Sequence, residues 1–544
     1  MLVGLIFVVL PAFGLMPALG GNAFSLDPWR RLSAEPGIVR AATISLASGL
    51  ATGAVSLAIT GLFLAGHHGG RVYQVVRRLV SPLLAVPHAA AALGLSFLIS
   101  PSGLFFRGLA ALGFGFEQPP DLLTVHDTWG LAMIAGLIVK EVPFLLLMSI
   151  AALPQLNAPV RLAVASTLGY GPVTGWLKTV APALYPLIRL PVLAVIAYSC
   201  SVVDVGVILG PTNPPPLSIA VLRWQSDPDL SSRFVAAAGA LLQLGIVVLA
   251  LSLWLIAERL LLRASKPWIE AGGRGTHDGW LRLAGGVLMG LLALSAILGL
   301  VCLALWSLAI AWRYPVLWPA PLTLANWRHV LPSTVGPLTT TICIGIVSTA
   351  ISFAIVLAAL EHELRTGRPP GGRAMGVLYL PLVVPPVAFL FGLVVAADSV
   401  SITPGLVPVA FGHIVFVLPY VYLSLSGPYC RLDPRWSQIA TTLGASRMRA
   451  FVSVRLPLLL APCLTAIAVG FAVSVGQYLA TQLLGAGRVT TLTTEAVALA
   501  SGGERRVIGV WALVQTLLPA IGFGIAVAIP RLVWRNRRAM LDAH

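Results

Sequence analysis

Charge is scarce in this chain. Of its 544 residues only 10% are Asp, Glu, Lys or Arg, against about 25% in an average soluble domain. That leaves too little polar surface to coat a soluble globule, which excludes a soluble enzyme or binding module. Lysine occurs only at Lys140 in V-K-E, Lys178 in L-K-T and Lys266 in S-K-P. None follows a glycine, so the Gly-Lys-Ser/Thr loop that cradles nucleotide phosphates is missing, and ATP hydrolysis by this chain is excluded. The five cysteines (Cys200, Cys302, Cys343, Cys430, Cys463) never form C-x-x-C, so neither a disulfide framework nor a zinc site is indicated. No His/Asp/Glu cluster or Ser-x-x-Lys at membrane depth supports an embedded enzyme. No catalytic residue, metal ligand or cofactor is therefore nominated.

What is abundant is apolar. The chain is 58% hydrophobic with mean hydropathy +0.92. Runs long enough to cross about 30 Å of hydrocarbon recur along it, predicting an all-α polytopic membrane protein. Twelve spans are expected, near 2–20, 38–65, 79–101, 128–151, 186–210, 233–257, 283–312, 336–360, 376–398, 403–427, 458–484 and 507–530, with a polar linker at 258–282. The net charge of +16 reflects loop arginines facing lipid head groups and not a nucleic-acid surface. The loops near 66–78, 152–185, 258–282, 361–375 and 428–457, with the basic tail (Arg531, Arg535, Arg537, Arg538), hold about twice the Lys and Arg of the opposite loops. Both termini are therefore expected in the cytoplasm. The N-terminal apolar run could pass for a signal-peptide core but lacks a positive n-region; it reads as a short first membrane helix.

The halves repeat. Trp29-Arg30 matches Trp327-Arg328, each before the second span of its half. L-A-V-P-H-A-A-A-A-L-G-L (84–95) matches L-V-V-P-P-V-A-F-L-F-G-L (382–393), and G-L-I-V-K-E-V-P-F (136–144) matches G-H-I-V-F-V-L-P-Y (412–420). Gly169 and Pro182 match Gly444 and Pro457, and Leu209-Gly210 matches Leu484-Gly485, all 275 residues apart. Six helices per unit is even, so the repeats are parallel: 1–257 and 283–544, with a central pathway expected between them.

The loop between spans four and five is the longest cytoplasmic loop within each half. In T-L-G-Y-G-P-V-T-G-W-L-K-T-V-A-P (167–182) and T-L-G-A-S-R-M-R-A-F-V-S-V-R-L-P (442–457) a glycine ends one helix by taking positive φ. A proline then suits a first helical turn. Two helix–turn–helix elements are expected, the second with an apolar face of Leu443, Phe451 and Val454.

This pattern resembles the cytoplasmic signature loop of ABC importer permeases, in which Glu-Ala-Ala precedes a glycine and a hydrophobic-Pro pair follows. The layout resembles the fused, two-repeat branch with MetI-like transmembrane domains that serves thiamine, ferric iron and polyamines. V-D-V-G-V-I-L-G-P-T-N-P-P (203–215) and L-L-G-A-G-R-V-T-T-L-T-T-E-A-V-A-L (483–499) look most like its thiamine-type members of unsettled substrate. The resemblance implies a bacterial inner-membrane subunit whose loops couple to a separate ATPase, in two copies carrying ATP-Mg, and which takes solute from a periplasmic binding protein. Carried over, the coupling elements are centred on Ala165–Gly169 and Ala440–Gly444, with Lys178, Pro182, Arg447, Arg449 and Pro457. The motif's glutamate is missing: Ala163 and Gln438 stand in its place.

Polar groups at membrane depth are costly and mark function by default. Asp204 in span five, and Gln477 and Tyr478 in its counterpart, are pathway candidates; the alternative for Asp204 is a carboxylate bonded between helices or at the outer interface. A lone buried carboxylate favours a cationic solute. His88 and His413 read as packing residues. Lys140-Glu141 is either a neutralised pair or a pathway element. Gly286-x-x-x-Gly290 permits close helix packing. An ion-gradient carrier also has two parallel sixes, but the loop H-H-G-G-R-V-Y-Q-V-V-R-R lacks the aspartate such carriers often place there.

Overall fold

Proline and glycine mark several of the places where the apolar runs break, as at Pro87 and Pro385. A computed structural model describes residues 1–368 and 370–535; Arg537 and Arg538 of the basic tail lie outside the described residues. Among the described residues nine helices are long and apolar enough to cross a membrane, or eleven if two bent pairs each count as one span. Among the described residues strand is confined to the Leu15–Met16 and Gly21–Asn22 hairpin and one isolated bridge. The fold is all-α and polytopic.

Each expected span has its helix or bent pair, with local corrections. The first is only Leu2–Ala12, about 16 Å at 1.5 Å per residue and too short to span; Gly14 and Gly20, both at positive φ, and Pro17 turn the chain away. Residues 258–270, expected as linker, continue the Ser232–Glu270 helix, and only 271–278 is loop before Gly279–Leu308. Residues 71–85, expected as loop and the start of span three, form their own helix, and the span begins at His88 behind Pro87.

The chain forms two compact units. The first comprises 1–332, 382–402 and 496–513. Its core packs Phe63, Leu64, Leu145, Leu146, Trp176 and Ile196 from Ile38–His67, Leu131–Ala152, Pro172–Thr179 and Ala181–Ser201. Glycines bring these helices close. A Cβ on Gly49 would lie 2.0 Å from Cys200 Sγ, and Gly94 and Gly299 meet backbone to backbone. Leu2–Ala12 is seated on Pro386–Ser399, where a Cβ on Gly392 would overlap the Gly4 carbonyl. On Ser232–Glu270, Leu249, Leu253, Ile256 and Leu260 form an exposed apolar stripe at helical spacing, opposite buried Gln243, Val247 and Ala250. A helix apolar on both faces belongs in lipid.

Of the described residues, the second unit comprises those within 333–381, 403–495 and 514–535. Val356, Leu360, Val417, Val421, Leu425 and Tyr429 pack with Leu459 and Ala466 between Ala325–Thr366, Leu406–Arg431 and Leu460–Val475.

The sequence pair Gly286-x-x-x-Gly290 contributes half of what its spacing suggests. Gly286 faces the His67 ring, whereas a Cβ on Gly290 meets nothing within 4 Å. Gly94→Leu is therefore expected to destabilise the detergent-solubilised protein by about 1–3 kcal/mol, the cost of overpacking a filled contact, while Gly290→Leu is neutral. Thermal denaturation followed by size-exclusion chromatography checks this; equal stabilities for the two variants would refute the glycine crossing.

Candidate functional site

Two paired features stand out: the loops between spans four and five, and the breaks inside span five.

In the first loop, Ala158–Thr167 ends at Gly169, whose φ is +79°, and Pro172–Thr179 follows. In the second, Arg435–Thr442 ends at Gly444, φ +88°, and Ser446 caps Arg447–Ala450 by accepting from Arg449 N at 3.2 Å. Both left-handed turns close on the carbonyl five residues back: Tyr170 N on Ala165 O and Ala445 N on Ala440 O. Pro182 stands in the first turn of Ala181–Ser201. Pro457 does not enter its span directly. It lies in the single turn Leu456–Leu458, after a π-helical stretch Phe451–Arg455 and before a 75° bend into Leu460–Val475.

The loops are anchored differently. The first is clasped by the segment joining the halves: Gly171 N donates to Arg274 O at 2.8 Å and Thr174 N to Asp278 Oδ2 at 2.7 Å. Lys178 lies between the Tyr170 and Trp268 rings, 5.4 and 4.7 Å from their centroids, a cation–π contact at each. Ala165 is buried against Gly175. The second loop is open. Leu443 is 82% exposed and Met448 64%, and Trp436, Ile439 and Val452 are exposed beside them, as are Arg447 and Arg449. Ala440 is half-buried; Phe451 and Val454 are too. Ala163 and Gln438, at the positions of the absent glutamate, are both exposed.

Span five breaks in both halves. Ala181–Ser201 stops before Asp204–Leu209, and Leu460–Val475 before Leu479–Gly485. A short helix then follows in each: Leu217–Gln225 and Leu492–Ala500, at the spacing of the sequence repeat. Buried backbone needs partners, and they recur. Leu217 N donates to Ser45 Oγ and Leu492 N to Thr341 Oγ1, both at 3.0 Å. The Ser218 hydroxyl donates to Val202 O at 2.8 Å and the Thr493 hydroxyl to Val475 O at 2.5 Å. Gln243 donates to Cys200 O at 3.0 Å, and Gln515 to Thr493 Oγ1 at 2.7 Å. The signal for these groups in the sequence is only Ser, Thr and Gln within otherwise apolar stretches.

The pathway candidates sit at the breaks. Asp204 is buried and opens its short helix, with the Tyr198 hydroxyl on its carboxyl and the His88 ring nearby. His88 lies 3.3 Å from Glu141 Oε1, its ring 5.0 Å from that of Tyr198. Gln477 and Tyr478, half-buried, form the break in the second half. There His413 joins the two pieces, with Nδ1 2.7 Å from Ser474 Oγ and Nε2 2.9 Å from Thr481 Oγ1, which is the packing role. Lys140 and Glu141 point to different partners. Lys140 donates to Val86 O at 2.6 Å and Leu83 O at 3.1 Å, satisfying carbonyls at the end of Arg71–Ala85.

Comparisons with known proteins agree with one another. Residues 350–533 match the family described as "Binding-protein-dependent transport system inner membrane component". An inner membrane ABC transporter permease protein of Escherichia coli K12, YnjC, is 31% identical over 531 residues, 97% of this chain and 95% of that protein. A molybdenum transport system permease of Mycobacterium tuberculosis, ModB, is 31% identical over 204 residues, 35% of this chain and 74% of the relative. A homologue of the spermidine/putrescine permease PotC in Mycoplasma genitalium is 26% identical over 181 residues, 32% of this chain and 62% of the relative.

Proposed function

We propose, from the premise that the chain belongs to the ABC transporter permeases of binding-protein-dependent transport, that it is a two-repeat permease whose paired loops take up the motion of two ATPase subunits. It is a multi-pass inner-membrane subunit of an importer. Members of this family are transport subunits that work with an ATPase and a solute-binding protein.

The observation that carries the finer reading is the pair of helix–glycine–helix loops, alike in local backbone and spaced as the rest of the repeat. An ion-gradient carrier has no use for two such loops. Repeats 1–257 and 283–544, with 258–282 joining them, would present both loops, the termini and the tail to the cytoplasm, where the ATPases bring ATP-Mg. A periplasmic binding protein would deliver solute to the opposite face. Closure of the ATPases on ATP would move the loops, and the span five that follows each loop would carry the motion to Asp204 in one half and to Gln477 and Tyr478 in the other.

For the solute we propose a small cation: a thiamine-like molecule, a polyamine or ferric iron. The support is the buried carboxyls of Asp204 and Glu141 beside the first break. The relatives' names do not agree on cargo, one naming spermidine/putrescine and another molybdenum.

Co-expression with an ATPase and a binding protein tests the assembly. Native mass spectrometry of the purified complex is expected to show two ATPase copies per permease chain, with ATP hydrolysis absent from the permease alone. Solute uptake by permease-only vesicles under an imposed ion gradient would instead support the carrier.

A further inference from the structure

The second loop is open along most of its surface, yet one carboxylate holds it. Glu361 lies on the last turns of Ala325–Thr366. A negative charge near a helix C-terminus opposes the helix dipole, so its presence there calls for compensation. Arg365 pairs with Glu361 Oε1 at 2.7 Å, one turn on. The Tyr429 hydroxyl, from Leu406–Arg431, donates to Oε2. Arg455 Nη1 meets the same oxygen at 2.5 Å.

Arg455 is buried, and its second branch donates from Nη2 to Ser437 Oγ at 2.9 Å. One guanidinium thus ties the carboxylate of a membrane helix to both flanks of the loop: to Arg435–Thr442 through Ser437, and to Phe451–Arg455 through its own backbone. Between those flanks Leu443, Gly444 and Met448 are exposed. The planar fork of arginine suits such a bridge, and lysine would reach one partner only. Among the described residues, the equivalent positions of the first half carry no such pair. At the spacings that relate Leu217 to Leu492 and Ser45 to Thr341, the matching residues are Val180 and Ala65, both in the apolar core.

We infer that Arg455 and Glu361 are positioning residues, the joint through which displacement of the second loop is delivered to the Ala325–Thr366 helix. This rests on reading the loop as an ATPase contact. Without the joint the exposed face still docks, but its movement is not passed on.

The test uses the full permease–ATPase complex. His362, exposed beside Glu361, is replaced by cysteine in a chain whose five native cysteines are alanine, and its maleimide labelling rate is compared without nucleotide and after trapping with ATP and vanadate. The parent is expected to show a difference of about fivefold, a modest coupling between sites. Arg455→Gln and Glu361→Gln should each abolish most of that difference while the ATPase still co-purifies. Arg455→Lys, which keeps the charge but not the fork, should recover part of it. A parent rate indifferent to nucleotide would overturn the joint. So would an unchanged difference in the glutamine variants, or loss of ATPase binding along with it. Failure of the underlying reading looks different: the ATPase would co-purify regardless of substitutions at Gly444.

Discussion

Gly444→Val is expected to lower co-purification of the partner ATPase about 5–30-fold, the ratio that 1–2 kcal/mol produces. The cost is conformational. Gly444 turns the second loop at φ +88°, and a Cβ there meets nothing within 4 Å. No neighbour would be pushed aside, so the penalty comes from the left-handed backbone, about 1–2 kcal/mol for a residue with a side chain. This fixes an order of effects. Asn tolerates the left-handed region and should be mildest, Ala intermediate, and Val, branched at Cβ, worst. Gly169, at φ +79°, should follow the same order, with the smaller loss because its loop is also held by Arg274 and Asp278. Pull-down of the ATPase from solubilised membranes gives the ranking. If the Val and Asn variants of both loops retain the ATPase as well as the parent does, the loops are not the contact.

Asp204→Asn is expected to cut solute uptake about tenfold or more, while assembly with the ATPase and thermal stability stay near those of the parent. Asn preserves the shape and a partner for the Tyr198 hydroxyl, so the break in span five keeps its local bonding. It removes the acid group that a cationic solute would hold ionised, and a hydrogen bond to a charged group is worth about 1.5–3 kcal/mol. Uptake of radiolabelled thiamine, putrescine and ferric iron in cells expressing the whole importer measures it. Uptake equal to the parent's would remove Asp204 from the pathway. A parallel fall in stability would return it to a purely structural bond between helices.

Apolar run length and the spacing of prolines and glycines located most of the membrane segments in the linear sequence, because both act locally. Twenty apolar residues cannot stay in water, and a glycine such as Gly169 or Gly444 is favoured where the backbone turns left-handed. The same locality explains what remained hidden. Hydropathy sums over a window, so it could not see span five stop at Ser201 and resume at Asp204, since both pieces are equally apolar. Nor could it foresee that Gly290 would face open space while Gly94, outside any such motif, would meet Gly299.

Charged and polar partners lie further beyond its reach. Lys140 and Glu141 are neighbours in sequence but point to different groups, which the packing of Arg71–Ala85 and His88–Ile99 beside them decides. Glu361 and Arg455 are distant in sequence and nothing in either stretch names the other. By itself, then, the sequence determined an all-α membrane chain and the glycines of its two loops, each set by solvation or backbone sterics within a few residues. The tertiary structure alone decided which carbonyls, hydroxyls and carboxylates meet at the breaks and how each loop is anchored, because a buried polar group takes whichever partner the packed helices bring within hydrogen-bond reach.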